Sequence, residues 1–188
     1  MQMIDLMEQA LRLGELPREL AELAQEIDQV RAGKIARPVR EIVPLGIRVH
    51  TLSIRCLTQL DTLAGSQYAA MKEGAEALAD MAETVLGVAF AAGTCTQAIT
   101  DRTNVLTHEA ADQTASTARE RLGEASEELR QVADVYREFS QRLTVRLVTP
   151  AARIEDGRLI ARALDRPAAT PVPPALPSKP APLSGPRR

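Results

Sequence analysis

Between Ala111 and Leu143 the apolar residues Ala111, Ala115, Ala118, Leu122, Ala125, Leu129, Val132, Tyr136, Phe139 and Leu143 recur at alternating spacings of four and three. An α-helix returns to one face at those steps, whereas a strand, with its period of two, would scatter them over both faces. Held for more than four heptads, the pattern is a coiled-coil seam. The opposite face pairs Glu127 with Arg130, Asp134 with Arg137 and Glu138 with Arg142 at helical offsets, as a solvated face does. The seam itself must be covered. Leu122, Leu129, Val132, Tyr136, Phe139 and Leu143 provide its large side chains and form the predicted interaction seam, packed on the third helix of the chain or on another copy.

The rest of the body also reads as helix. Met3, Leu6, Met7, Ala10 and Leu13 give a stripe over residues 2–13, stopped by Gly14. A second helix starts at Pro17, carries Leu20, Leu23, Ala24, Ile27 and Val30, and ends at Gly33. A third runs from Pro38 to Ala64, with a kink or a true start at Pro44. It has two stripes, one of Ile42, Leu45, Val49, Leu52, Cys56 and Leu63, the other of Ile47, Ile54 and Leu57, which place it at the centre of the fold. A fourth begins near Gln67 and continues through Met71, Leu78, Val85 and Ala92. The register slips before residue 115, so the reading is a long antiparallel hairpin bent between Gly93 and Asn104. The fold class is all-α: a helical bundle with a coiled-coil-like hairpin.

After Val148 the character changes. Nine of the 12 prolines lie at or beyond Pro150. Residues 1–148 form the predicted bundle domain and 149–188 a proline-rich basic tail, with a short helix over 151–165. From Pro167 the tail reads as disordered, because proline, alanine and serine cannot bury enough surface to offset ordering. The charge divides unevenly, −6 over residues 1–148 and +4 over 149–188.

No catalytic, cofactor or metal motif emerges. His108 precedes Glu109, but position 112 is Asp, so the two-histidine zinc motif is broken. His50 lies on the third helix without a Glu three residues before it, which excludes the di-iron bundle pattern. Cys56 fits a buried seam position, and Cys95, near the expected bend, is the more exposed of the two. Glu15, Glu19, Glu22 and Glu26 read as a solvated helix face. An acidic body with 2% aromatics argues against a nucleic-acid surface. No signal peptide and no membrane-spanning run is read from the sequence, so the expected setting is cytoplasmic.

The expected function is a non-enzymatic assembly protein, a scaffold, adaptor or structural subunit. Its expected partner is itself, as a homo-oligomer, or another helical protein, with no cofactor. One alternative is a regulatory module whose tail engages an acidic partner, a membrane surface or nucleic acid. Pro174, Pro177 and Lys179 match a proline motif for an SH3-like groove. Another alternative is a small-ligand binder or enzyme built from residues on several helices.

Overall fold

The computed structural model describes residues 1–33, 35, 37–107 and 111–165, and their side chains except those of 38, 104–107 and 111–116. Among the described residues every regular element is helical. They are α1 (Leu6–Ala32), α2 (Pro38–Glu41), α3 (Val43–Ala64), a 3-10 turn (Gln67–Ala70), α4 (Gly74–Thr107), α5 (Ala111–Val148) and α6 (Pro150–Leu164). The chain is all-α.

Where Gly14 and Pro17 predict two helices, α1 is one. A glycine and a proline inside a helix cost about 1 and about 3 kcal/mol. Leu13, Leu16, Leu20 and Leu23 are fully buried along the inner face of α1. Each contributes ~1.5–3 kcal/mol on burial, so packing overrides both breakers. The helix opens at Leu6 rather than residue 2, because the Asp5 carboxylate accepts the backbone N–H groups of Met7 and Glu8. Ahead of it the chain is stitched to the end of α3. Gln2 N donates to Gly65 O at 2.8 Å and Gln67 N to Gln2 O at 3.1 Å. The Gln67 side chain accepts from Ile4 N at 2.9 Å and donates to Ile4 O at 2.6 Å.

Pro44 sits at the start of α3, where its missing N–H removes no helical bond. Leu45, Val49, Leu52, Cys56 and Leu63 turn inward. Ile47, Ile54 and Leu57 do not: they are exposed, so α3 is buried on one side and is not the central helix. Its arginines reach α1 instead. Arg55 Nη1 donates to both Glu19 oxygens at 2.7 Å, with Glu15 at 3.3 Å from Nη2, and Arg48 pairs with Glu26. Three of the four glutamates read as a solvated face, Glu15, Glu19 and Glu26, are thus half of a clasp between α1 and α3, while Glu22 pairs with Arg18 on its own helix.

The fourth helix starts at Gly74, not Gln67. Ser66 caps the 3-10 turn, Met71 is extended, and Glu73 takes a φ of 64°. A Cβ on Gly74 would lie 2.1 Å from the Tyr68 carbonyl oxygen, so only glycine fits beneath this turn. From there α4 runs straight through Gly93 and the polar stretch that suggested a bend. The hydroxyls of Thr94, Thr96, Thr100 and Thr103 each donate to the carbonyl four residues earlier, which satisfies them without leaving the helix. Residues 108–110, between α4 and α5, lie outside the described residues.

Four helices close a ring around one core: α5 packs on α1 and α4, while α3 packs on α4 and α1. Along α4, Asp101 pairs with Arg121 at 2.6 Å, Gly87 faces Glu128 and Val132, and Met81 shares a small void with Tyr136 and Phe139. Along α1, Asp28 accepts from Arg130, from Ser126 Oγ at 2.9 Å and from Arg31 at 3.3 Å. Burial alone would raise the Asp28 carboxyl, but these donors outweigh it and hold it below its ordinary 3.8. A depressed carboxylate stabilises the fold above its unfolded pKa and loses that contribution as pH falls through the folded value. Asp28→Asn should therefore cost about 1 kcal/mol at pH 7, a modest figure because Arg130 stays 44% exposed. The deficit should shrink as the pH falls below about 4, as checked by urea unfolding over an acid series.

Candidate functional site

Leu122, Leu129, Val132, Tyr136, Phe139 and Leu143 are all buried within the single chain. Their cover comes from α1 and α4, the two helices on which α5 packs; α3 meets the seam where Cys56 lies beside Tyr136. The alanines Ala118 and Ala125 are buried as well, while the side chains of Ala111 and Ala115 lie outside the described set. None of the six large seam residues is left exposed for a second copy.

Tyr136 is an unusual member of this core. Its hydroxyl finds no oxygen or nitrogen partner among the described residues and has only the weakly bonding Cys56 thiol beside it. Burial pushes the phenol far up, with the Cys56 thiol adding to the effect. A buried polar group without a partner is destabilising by ~1–3 kcal/mol, whereas the ring itself is useful core volume. Tyr136→Phe should raise the Tm by about 2–4 °C in a calorimetric scan. A fall of similar size would mean that the hydroxyl is bonded after all.

The remaining sequence candidates are dispersed. Cys56 and Cys95 are both buried thiols, and burial pushes Cys95 up to about 11. The expectation of a more exposed Cys95 fails because α4 does not bend there. His50 is exposed, with Nε2 3.4 Å from Thr96 Oγ1. Among the described residues no three His, Cys, Asp or Glu side chains gather as a metal ion requires. His108 and the tail motif of Pro174, Pro177 and Lys179 lie outside the described residues.

Two features were not read from the sequence. The first is a cleft of about 730 Å³ where the 3-10 turn, the start of α4, the end of α5 and α6 come together. Its wall is fixed by Asp156 of α6, which is buried. Arg146 grips Asp156 with Nε at 2.8 Å and Nη2 at 2.7 Å, and the backbone N–H of Lys72 donates to the same carboxylate at 3.1 Å. Glu155 adds a bond to Lys72 Nζ at 3.1 Å and to Arg146 at 3.4 Å. This fork-shaped pairing raises the Arg146 pKa and locks α6 to both α5 and the turn before α4. The sequence boundary at Val148 therefore falls inside the packed body. On the cleft floor the rings of Tyr68 and Phe139 meet edge to face, centroids 6.0 Å apart.

The second feature is the outer wall formed by α3 and α4. Ile47, Ile54, Leu57, Leu86 and Phe90 are each 55–69% exposed. Residues 84–100 contain no charged side chain, and in residues 42–60 the charges are Arg48 and Arg55, both turned to α1. The α1 and α5 surfaces, by contrast, are laced with ion pairs. By length and composition alone, Gly74–Thr103 is long enough and apolar enough to cross a membrane, contrary to the sequence reading, and 44% of its apolar window is buried inside the fold. No protein-family model, curated protein or solved structure matches this chain.

Proposed function

We propose that this protein is a non-enzymatic helical assembly protein, a scaffold or adaptor, built on a long antiparallel coiled-coil-like hairpin of α4 and α5. The pairings of Asp101 with Arg121 and of Met81 with Tyr136 support the antiparallel arrangement. The contact surface is the uncharged wall of α3 and α4, not the seam, because the seam is used internally. One observation carries this reading: five large apolar side chains stand exposed on a wall without unpaired charge. Interface centres are depleted of charge and hold aromatic anchors, as Phe90 would be. The occupant is a second copy of the chain. A neutral wall meets its own image without like-charge repulsion, whereas the charged α1 and α5 faces would not.

Light scattering of the full chain over a concentration series tests this. The wild type should be a dimer or larger, and Ile54→Glu/Phe90→Glu should be a monomer with its Tm within a few degrees, since both sites are exposed. A wild type that stays monomeric to high concentration overturns self-association. Co-sedimentation with lipid vesicles, lost in the same variant, would instead assign the wall to a membrane surface, the reading favoured by the length and apolarity of α4.

A further inference from the structure

Helix α6 is fixed by one face and open on the other. Its acids Asp156 and Glu155 are turned to Arg146 and Lys72, and Ile160 packs on the core. On the outer side Ile154, Gly157, Ala161 and Leu164 recur at steps of three and four, so they form one stripe, and all four are exposed. A Cβ on Gly157 would meet nothing within 4 Å, so the stripe is uncovered there. The apolar surface continues past the helix: Met7 and Val148, 40% and 59% exposed, line a shallow groove with Arg153.

The stripe is edged by positive charge. At about 100° per residue, Arg153 falls on one edge and Arg158 and Arg162 on the other. None of the three has an ion-pair partner among the described residues. Asp5 lines the groove beside Arg153 but is engaged as the N-cap of α1. Asp165, at the C-cap, is the one acid of α6 not held by Arg146 or Lys72. From Arg166 onward the sequence adds three more basic residues, Lys179, Arg187 and Arg188, and no acid.

We propose that the outer face of α6 docks on an anionic lipid surface. The stripe enters the boundary of the acyl chains while the guanidiniums stay level with the lipid phosphates, as long cationic side chains do. A nucleic-acid backbone would engage the arginines and leave Ile154 and Leu164 unused. Residues 1–148 carry −6 and residues 149–188 carry +4, so the same surface repels the body and draws the α6 end first. The inward grip of Arg146 on Asp156 presents the face in one orientation.

The full chain should co-sediment with phosphatidylcholine vesicles holding about 30% phosphatidylserine, less so as salt rises, and not with phosphatidylcholine alone. Each arginine is worth about fivefold in binding at such a surface, so Arg153→Gln/Arg158→Gln/Arg162→Gln should weaken it roughly a hundredfold. Ile154→Ser/Leu164→Ser keeps every charge and should weaken it about tenfold. All five sites are exposed, so circular dichroism should show an unaltered fold in both variants. Ile54→Glu/Phe90→Glu, on the wall of α3 and α4, should leave vesicle binding intact. The proposal is overturned if the wild type ignores the anionic vesicles, or if the wall variant loses binding and the α6 variants keep it. It is overturned too if the arginine variant loses binding while Ile154→Ser/Leu164→Ser does not, because the contact is then charge alone, as with nucleic acid or an acidic protein.

Discussion

Leu129→Asp should leave no cooperatively folded protein at neutral pH. Leu129 is fully buried on α5, the helix that packs on both α1 and α4. Removing a buried leucine costs about 2–5 kcal/mol. Placing a carboxylate there adds either the cost of burying a charge or that of protonating it, several kcal/mol more. A domain of this size has about 5–15 kcal/mol to lose. The sum reaches that total. The thermal transition should therefore vanish by circular dichroism, and not merely shift with protein concentration as it would for a seam between two copies. Leu129→Met, which conserves volume, should cost less than about 1.5 kcal/mol. An unchanged Tm for Leu129→Asp would refute the burial of the seam in one chain.

Asp156→Ala should detach α6. The substitution removes both acceptors of the Arg146 fork and the partner of the Lys72 N–H. It leaves a guanidinium that is 19% exposed without its main counter-charge. Breaking a buried pair from one side costs about 3–5 kcal/mol, and the lower end applies here because Glu155 still reaches Arg146. The loss should be local. Hydrogen exchange in residues 150–164 should accelerate to near-unprotected rates while α1 and α3 keep their protection. Asp156→Leu/Arg146→Met should recover much of the difference, because it removes the stranded charge with its partner. If α6 stays protected in Asp156→Ala, apolar contact rather than the ion pair holds it.

The helical class and the core stripe of α5 were legible because they rest on periodicity alone. Where the reading failed, packing outweighed a local signal. Gly14 and Pro17 are valid breakers, but four fully buried leucines hold α1 through them. Gly93 and the threonines after it look like a bend, yet each of Thr94, Thr96, Thr100 and Thr103 finds a carbonyl on its own helix. The second stripe of α3 was read as buried because apolar spacing does not say whether a partner exists. In the single chain Ile47, Ile54 and Leu57 have none, and that misreading is what exposes the proposed contact wall. The cleft could not be read at all. Its residues come from segments as distant as Tyr68 and Ala152, and only the Arg146–Asp156 fork brings α6 to its edge. Glu73, Glu76 and Asp80 stand close together in the sequence, but nothing in one dimension says that Glu138 joins them.

The pairing of α1 with α5 also sets the order in which the chain can be completed. Asp28 finds Arg130 102 residues later and Ser126 98 residues later. At a translation speed of ~5–20 residues per second, the inner face of α1 waits roughly 5–20 s before its main neighbour exists. During that interval α3 is the cover within reach, held by the Arg55–Glu19 and Arg48–Glu26 clasp. Until α5 leaves the ribosome the inner face of α1 lacks its main cover, so closing this side of the core is the last step that synthesis permits.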